Sequence, residues 1–227
     1  MTYNYEEDSE KLLLVKGKEV INDKDYARVL AKAIDACVAK HGKAILRCVG
    51  KIATDNAVRA ICISRYNSIK RGQIDPSTGG DLITIPESVD VSFDDLSSPL
   101  KGVILSVSRL GHILGDEASD SEDSLLRVKG LVSKSESIPE AKREKKAYIN
   151  NLSEAILSCL EKYSECTLRY RGYGACDNSI RSLLMAIENY DDEEAIGFQP
   201  AFTTIKMTNE NGESFDCSAV SLRVIQI

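Results

Sequence analysis

The sequence predicts an α/β fold, an α+β sandwich in which one β-α-β-α-β-β unit, a mixed sheet with two helices, occurs twice in tandem. Three observations predict it. Gly50-Lys51-Ile52-Ala53-Thr54-Asp55-Asn56-Ala57-Val58-Arg59-Ala60 returns 122 residues later as Gly172-Tyr173-Gly174-Ala175-Cys176-Asp177-Asn178-Ser179-Ile180-Arg181-Ser182. The flanks repeat as well, since Leu12 to Gly17 reads like Leu125 to Gly130 and Pro86 pairs with Pro200. Between these anchors, short apolar runs alternate with stretches of helical periodicity, the pattern of strands joined by crossover helices. The boundaries that follow are a tail over 1–10, a first unit over 11–110, an acidic linker over 111–123 and a second unit over 124–227.

In the first unit, Leu12-Leu13-Leu14-Val15 is a continuous apolar run that suits a strand buried on both faces. Asn22 or Asp23 caps the helix that follows, whose inward stripe is Tyr26, Val29, Leu30, Ala33, Ile34 and Cys37. Gly42 closes that helix. Ala44 to Val49 forms the next strand and Gly50 begins a turn, after which Asp55 caps or enters a helix with Val58, Ile61 and Cys62 inward. The segment from Arg71 to Gly80 is dense in turn residues. Leu82 to Ile85 and Val89 to Phe93 form a strand interrupted near Pro86, and Val103, Leu105 and Val107 mark the last strand.

The second unit follows the same order. Leu125 to Val128 is its first strand, and Ser137 followed by Pro139 starts a helix that runs to about Tyr163. Its stripe is Ile149, Leu152, Ile156, Leu157 and Leu160, and that of the next helix is Ile180, Leu183, Leu184 and Ile187. Ala195 to Met207 and Ala219 to Ile227 close a hairpin. Gly111 to Asp123, with Asp116, Glu117, Asp120, Glu122 and Asp123, reads as a linker.

Composition narrows the function classes. With 43% hydrophobic residues and 6% aromatics, the 227-residue chain supports two ordinary, mostly aliphatic cores. No apolar run reaches membrane-helix length and the first residues are acidic, so neither a membrane span nor a signal peptide is expected. Seven Cys with no C-x-x-C pair fit a reducing compartment, which points to the cytoplasm; Cys37 and Cys159 share one repeat position and read as core. Residues 1–110 carry 16 basic against 15 acidic side chains, and residues 111–227 carry 13 against 20, within an overall charge of −6. That balance lacks the basic surplus of a protein that coats DNA.

The glycine-rich turn and its helix, followed by Asp81-Leu82-Ile83-Thr84-Ile85-Pro86 or Ile196-Gly197-Phe198-Gln199-Pro200-Ala201-Phe202-Thr203, resemble the bacterial stage V sporulation protein S family of the Alba-like superfamily. The resemblance covers nearly all of both units and implies the β-α-β-α-β-β fold, self-pairing and contact with nucleic acid. The positions it implies for that contact are Lys16, Lys18, Arg47, Lys51 and Arg59 in the first unit, and Lys129, Arg169, Arg171 and Arg181 in the second. Leu131 replaces the counterpart of Lys18, and Val49 that of Arg171. The hairpins carry Asp90, Asp94 and Asp95, or Glu210, Glu213 and Asp216, which repel phosphate. The expectation therefore moves from packaged duplex toward RNA or single strands.

The residues themselves give a matching candidate. Arg169 and Arg171 alternate onto one strand face, Gly172 and Gly174 let backbone N–H groups approach an anion, and a helix N-terminus follows. Tyr170 or Tyr173 offers a ring for base stacking. The plainer reading is a strand-turn-helix junction that needs glycine for a positive φ, with solvated arginines. A dinucleotide site is not expected, because Asp177 stands where the third glycine of G-x-G-x-x-G belongs. Asp55-Asn56 and Asp177-Asn178 read as helix caps, and Lys142 to Lys146 as a solvated charged face. His41 and His112 are the two histidines, and no ligand spacing for zinc, catalytic site or cofactor is seen. Two functions compete at this level: a non-enzymatic nucleic-acid-binding protein, and a structural protein whose tandem units associate with themselves, as an internal pseudo-dimer, a homo-oligomer or an open-ended filament.

Overall fold

A computed structural model describes residues 9–20, 23, 25–72, 80–92, 97–110, 122–130, 137–190, 194–209 and 212–227. The expected cap Asn22, most of the turn-rich 71–80 segment, Phe93, Asp94, Asp95, the linker over 111–121 with His112, Leu131 and Glu210 lie outside the described residues. The first half contains β1 (Leu12–Val15), α1 (Tyr26–His41), β2 (Lys43–Val49), α2 (Lys51–Lys70), β3 (Leu82–Val91) and β4 (Leu100–Arg109). The second contains β5 (Leu125–Val128), α3 (Ile138–Tyr163), β6 (Glu165–Tyr170), α4 (Tyr173–Glu188), β7 (Ile196–Thr208) and β8 (Ser214–Gln226). Short 3₁₀ turns precede β1, α1 and β5.

All eight strands belong to one mixed sheet in the order β1-β2-β4-β3-β7-β8-β6-β5. β1 runs parallel to β2 and β5 to β6, each pair joined by a helix, whereas the remaining pairs are antiparallel. The halves meet where β3 pairs β7, with Thr84 opposite Phe198. These two residues occupy the same repeat position, 114 apart like Pro86 and Pro200, so the junction lies on a local pseudo-two-fold axis. Gln199 Nε2 donates to the Leu82 carbonyl across it.

One apolar core runs through both halves, on the sheet face that the four helices cover. It joins Leu46, Leu105 and Leu82 of the first half to Ile196, Phe198, Leu222 and Leu168 of the second, beneath Ile34, Ile61, Ile156 and Ile180. α2 also packs on β7 and α4 on β3, so each half roofs part of the other. A smaller cluster of Ile83, Leu110, Ile225 and Ile227 seals the junction on the reverse face. Gly197 is required there: a Cβ would stand 2.9 Å from the Ile83 side chain.

Four local expectations change. β1 is the outermost strand of the sheet, so Leu14 is 60% exposed rather than buried on both faces. The buried stripe of α1 is Leu30, Ala31, Ile34 and Val38, rotated from the expected one, and Val29 faces solvent while Cys37 is half-buried. Pro86 does not interrupt β3, which runs unbroken past it. It sits just beyond the single β3–β7 pairing, where β3 has one strand neighbour and a missing N–H is tolerated. At the start of α1, Asp23 Oδ1 accepts from the N–H groups of Asp25 and Tyr26, while Asp25 holds the N-cap position itself.

Candidate nucleic-acid interface

Each half turns from its second strand into its second helix through one glycine. Gly50 (φ 83°, ψ 160°) and Gly172 (φ 81°, ψ 159°) share a conformation that only glycine adopts without strain. The helices begin at the next residue, so Asp55-Asn56 and Asp177-Asn178 stand inside them and do not cap them. Burial and spacing give these residues another task. Asp55 Oδ2 accepts from Arg59 Nε at 2.8 Å and Asp177 Oδ1 from Arg181 Nε at 2.9 Å, each one helical turn on. Lys145 Nζ also reaches Asp177, at 2.7 Å.

The asparagines reach outward to the chain that leaves the first strand. Asn56 Nδ2 donates to the Lys16 carbonyl at 3.1 Å, and Asn178 Nδ2 to the Lys129 carbonyl at 2.7 Å. The N–H groups of these same lysines donate to tyrosine hydroxyls, Lys16 to Tyr26 at 2.8 Å and Lys129 to Tyr148 at 2.9 Å. Each lysine is thus held by both its backbone groups, and both clamps recur at the same repeat positions. Tyr26 was legible in the sequence only as a stripe residue and Tyr148 was missed; their identical repeat position was the signal of a shared role.

The two corners come together. Lys51 Nζ, at the first residue of α2, lies 4.9 Å from the centre of the Tyr173 ring at the first residue of α4. Farther in, Arg59 is affected by Tyr170 and Cys176 of the other half. Burial pulls the Arg59 guanidinium down, but the charge and hydrogen bond of Asp55 outweigh it and hold it above its ordinary value. Two helix N-termini, whose first N–H groups have no partner within the helix, therefore share one surface. Lys16, Lys51 and Lys129 are exposed beside them, Lys18 and Arg171 are exposed within two residues of Lys16 and Tyr173 in the chain, and Tyr173 is 44% exposed.

The sequence-predicted set does not form one cluster. Arg47 and Arg169 project from strand positions that alternate with Leu46, Cys48, Leu168 and Tyr170 of the helix-side core, so they belong to the reverse face of the sheet. Both are half-buried, and Arg169 Nε donates to Ser221 Oγ at 3.4 Å. Arg171 lies one residue past β6, with Nη1 3.2 Å from Met207 Sδ. Arg59 and Arg181 are salt-bridged to Asp55 and Asp177. Gly174 serves packing: a Cβ there would stand 3.2 Å from the Gly130 carbonyl oxygen.

The thiols around the corners are quiet. All seven cysteines are free, and Tyr170 Oη donates to Cys176 Sγ in the core between the helices. Burial pushes the Cys62 thiol up to about 12 and raises Cys48, Cys166 and Cys176 too, so all four stay protonated near neutrality. Among the described residues, no group of three or more His, Cys, Asp and Glu side chains gathers as a metal site would need, and no helix is long and apolar enough to cross a membrane. No protein-family model matches this chain, and no curated protein does either.

Proposed function

We propose that the chain is a non-enzymatic nucleic-acid-binding protein, built from two fused Alba-like units over 11–110 and 124–227, that takes RNA or single strands on its joined corners. The observation that carries this reading is the meeting of Lys51 with Tyr173, which makes one cationic and aromatic surface out of two repeats. In a chain of net charge −6, Lys16 and Lys129 are held beside the helix starts, while Asp55 and Asp177 are taken up by Arg59, Arg181 and Lys145. A flexible polyanion suits such a patch: phosphates pair with Lys16, Lys51, Lys129 and Arg171, and a base stacks on Tyr173. Duplex is the poorer fit, because Glu213 and Asp216 on the β7–β8 hairpin repel its backbone, although Asp90 on the other hairpin is paired with Lys101.

Fluorescence anisotropy with an RNA of about 20 nucleotides, the matching single-stranded DNA and a duplex tests it. Affinity for single strands falls with salt, by a slope of about 0.7 per phosphate contact, and the double variant Lys51→Ala/Arg171→Ala lowers that slope. Salt-independent binding, or none tighter than ~100 μM, overturns the reading.

A second reading, self-assembly, draws on one observation. Among the described residues β1 and β5 end the sheet, and Leu14 on β1 is solvent-exposed. Light scattering of the free protein separates the two: a mass that grows with concentration without nucleic acid favours assembly.

A further inference from the structure

The two tyrosine clamps mark equivalent points on the first helix of each half, and the helices begin differently around them. α1 starts at Tyr26 itself, whereas α3 starts at Ile138, ten residues before Tyr148. The extra stretch, Ile138 to Ala147, is about 15 Å of helix without a helical counterpart in α1. From Ile138 to Glu144 only Ala141 is half-buried, and the other side chains are exposed.

One side chain of this extension reaches the corner. Lys145 Nζ lies 2.7 Å from Asp177 Oδ2, and the same carboxylate accepts from Arg181 Nε through its other oxygen. Asp55 accepts from Arg59 through Oδ2, but among the described residues its buried Oδ1 has no hydrogen-bond partner. Three residues past Lys145, the Tyr148 hydroxyl holds the Lys129 N–H. The extension is therefore fastened to the second corner, beside Lys129 and the start of α4.

Lys142, Arg143 and Lys146 stand exposed on this stretch, which also carries Glu140 and Glu144. Lys146 is one helical turn from both Lys142 and Arg143, and like charges at that spacing destabilise a helix. Their heads reach solvent rather than the core, so the ridge costs the fold a little stability.

We propose that the α3 extension carries a bound single strand beyond the second corner, with Lys142, Arg143 and Lys146 as further phosphate contacts. The inference rests on the nucleic-acid reading and gives it a direction: the strand crosses from the Lys51–Tyr173 contact over the start of α4 onto α3. The first half, where α1 starts at Tyr26, offers no equivalent ridge among the described residues. Cations on a regular exposed helix suit a chain of phosphates, because each contact releases counterions without any base being read. Lys145 takes part by holding Asp177, whose carboxylate would otherwise repel a phosphate at the start of α4.

Fluorescence anisotropy of the full chain with a single-stranded RNA of about 20 nucleotides tests it. The triple variant Lys142→Ala/Arg143→Ala/Lys146→Ala weakens binding about tenfold and lowers the salt slope by about 2, the share of three contacts at about 0.7 each. Its melting temperature stays level or rises, since alanine favours helix and the like-charge neighbours are gone. Should it melt earlier, Lys142→Gln and Lys146→Gln measured singly decide, each lowering the slope by about 0.7. The control Lys32→Ala/Lys40→Ala/Lys70→Ala removes equal charge from α1 and the far end of α2 and leaves the slope unchanged. α3 variants that bind no more weakly than this control overturn the inference and leave the nucleic-acid reading standing; an unmodified chain that binds no RNA overturns both. Poly-glutamate that displaces the RNA at equal charge concentration overturns the assignment of the ridge to nucleic acid.

Discussion

The two halves of this chain agree where the backbone must be held and differ where space must be filled. Gly50 and Gly172 make the same turn, Tyr26 and Tyr148 accept from the same lysine N–H, and Asn56 and Asn178 donate to the same lysine carbonyl. Their packing diverges around that shared frame. Arg65 and Asp81 form a bidentate pair in the first half, where the second has Ile187 and Ala195. Ile52 stands where Gly174 allows the Gly130 loop to approach. Equivalent positions within one molecule therefore act as controls for each other: shared residues report what the fold requires, and unlike residues report what each half does with it.

The largest effect is expected where the comparison itself is joined. Phe198 is fully buried opposite its counterpart Thr84, and Phe198→Ala costs about 3–5 kcal/mol of stability, read from urea unfolding. Should the halves unfold independently, two transitions would appear in place of one.

Next comes the ion pair. Arg65→Ile leaves the Asp81 carboxylate buried without its partner and costs about 3–5 kcal/mol, while Arg65→Ile/Asp81→Ala, the pair of the second half, recovers much of that loss. Equal destabilisation by the single and double variants would show that Asp81, which also accepts from the Leu82 N–H, has a further role.

Gly174→Ile, the residue of the first half, presses on the Gly130 backbone and costs about 1–3 kcal/mol by thermal melting. The looser site around Gly17, whose Cβ would find its nearest neighbour at 3.8 Å, tolerates Gly17→Ala better than Gly130→Ala is tolerated.

The smallest effect concerns Cys62, which replaces Leu184 of the second half. Its thiol ionises near 9 in the unfolded chain and near 12 in the fold, so unfolding at high pH releases a proton. The Cys62 contribution to stability is constant below pH 9 and falls by about 1.4 kcal/mol per pH unit from there toward 12. Cys62→Ala makes the measured alkaline slope shallower by that amount. An unchanged slope would show that the thiol already ionises alike in both states.

The elements were largely legible because each depends on neighbours in sequence. Ser137 and Pro139 mark the start of α3, and Gly42, at φ 74°, its place after α1. Misreadings arose where the partner was distant. Asp55 and Asp177 looked like caps because Asp is common there, but the glycine turn starts each helix at once and moves them inside. Leu12 to Val15 looked fully buried because sequence does not reveal that its strand ends the sheet. Of the candidate site, the corner glycines and lysines were visible as a repeated motif, whereas the reverse-face placement of Arg47 and Arg169 required the strand register.

By itself the sequence determined the duplication, the order of strands and helices in each half and the two glycine turns, because periodicity and the φ demands of glycine act within a few residues. Tertiary structure alone decided that β3 and β7 join the halves into one sheet and that Lys51 meets Tyr173. Those outcomes depend on residues more than a hundred apart in sequence meeting in space, and no local pattern encodes such meetings.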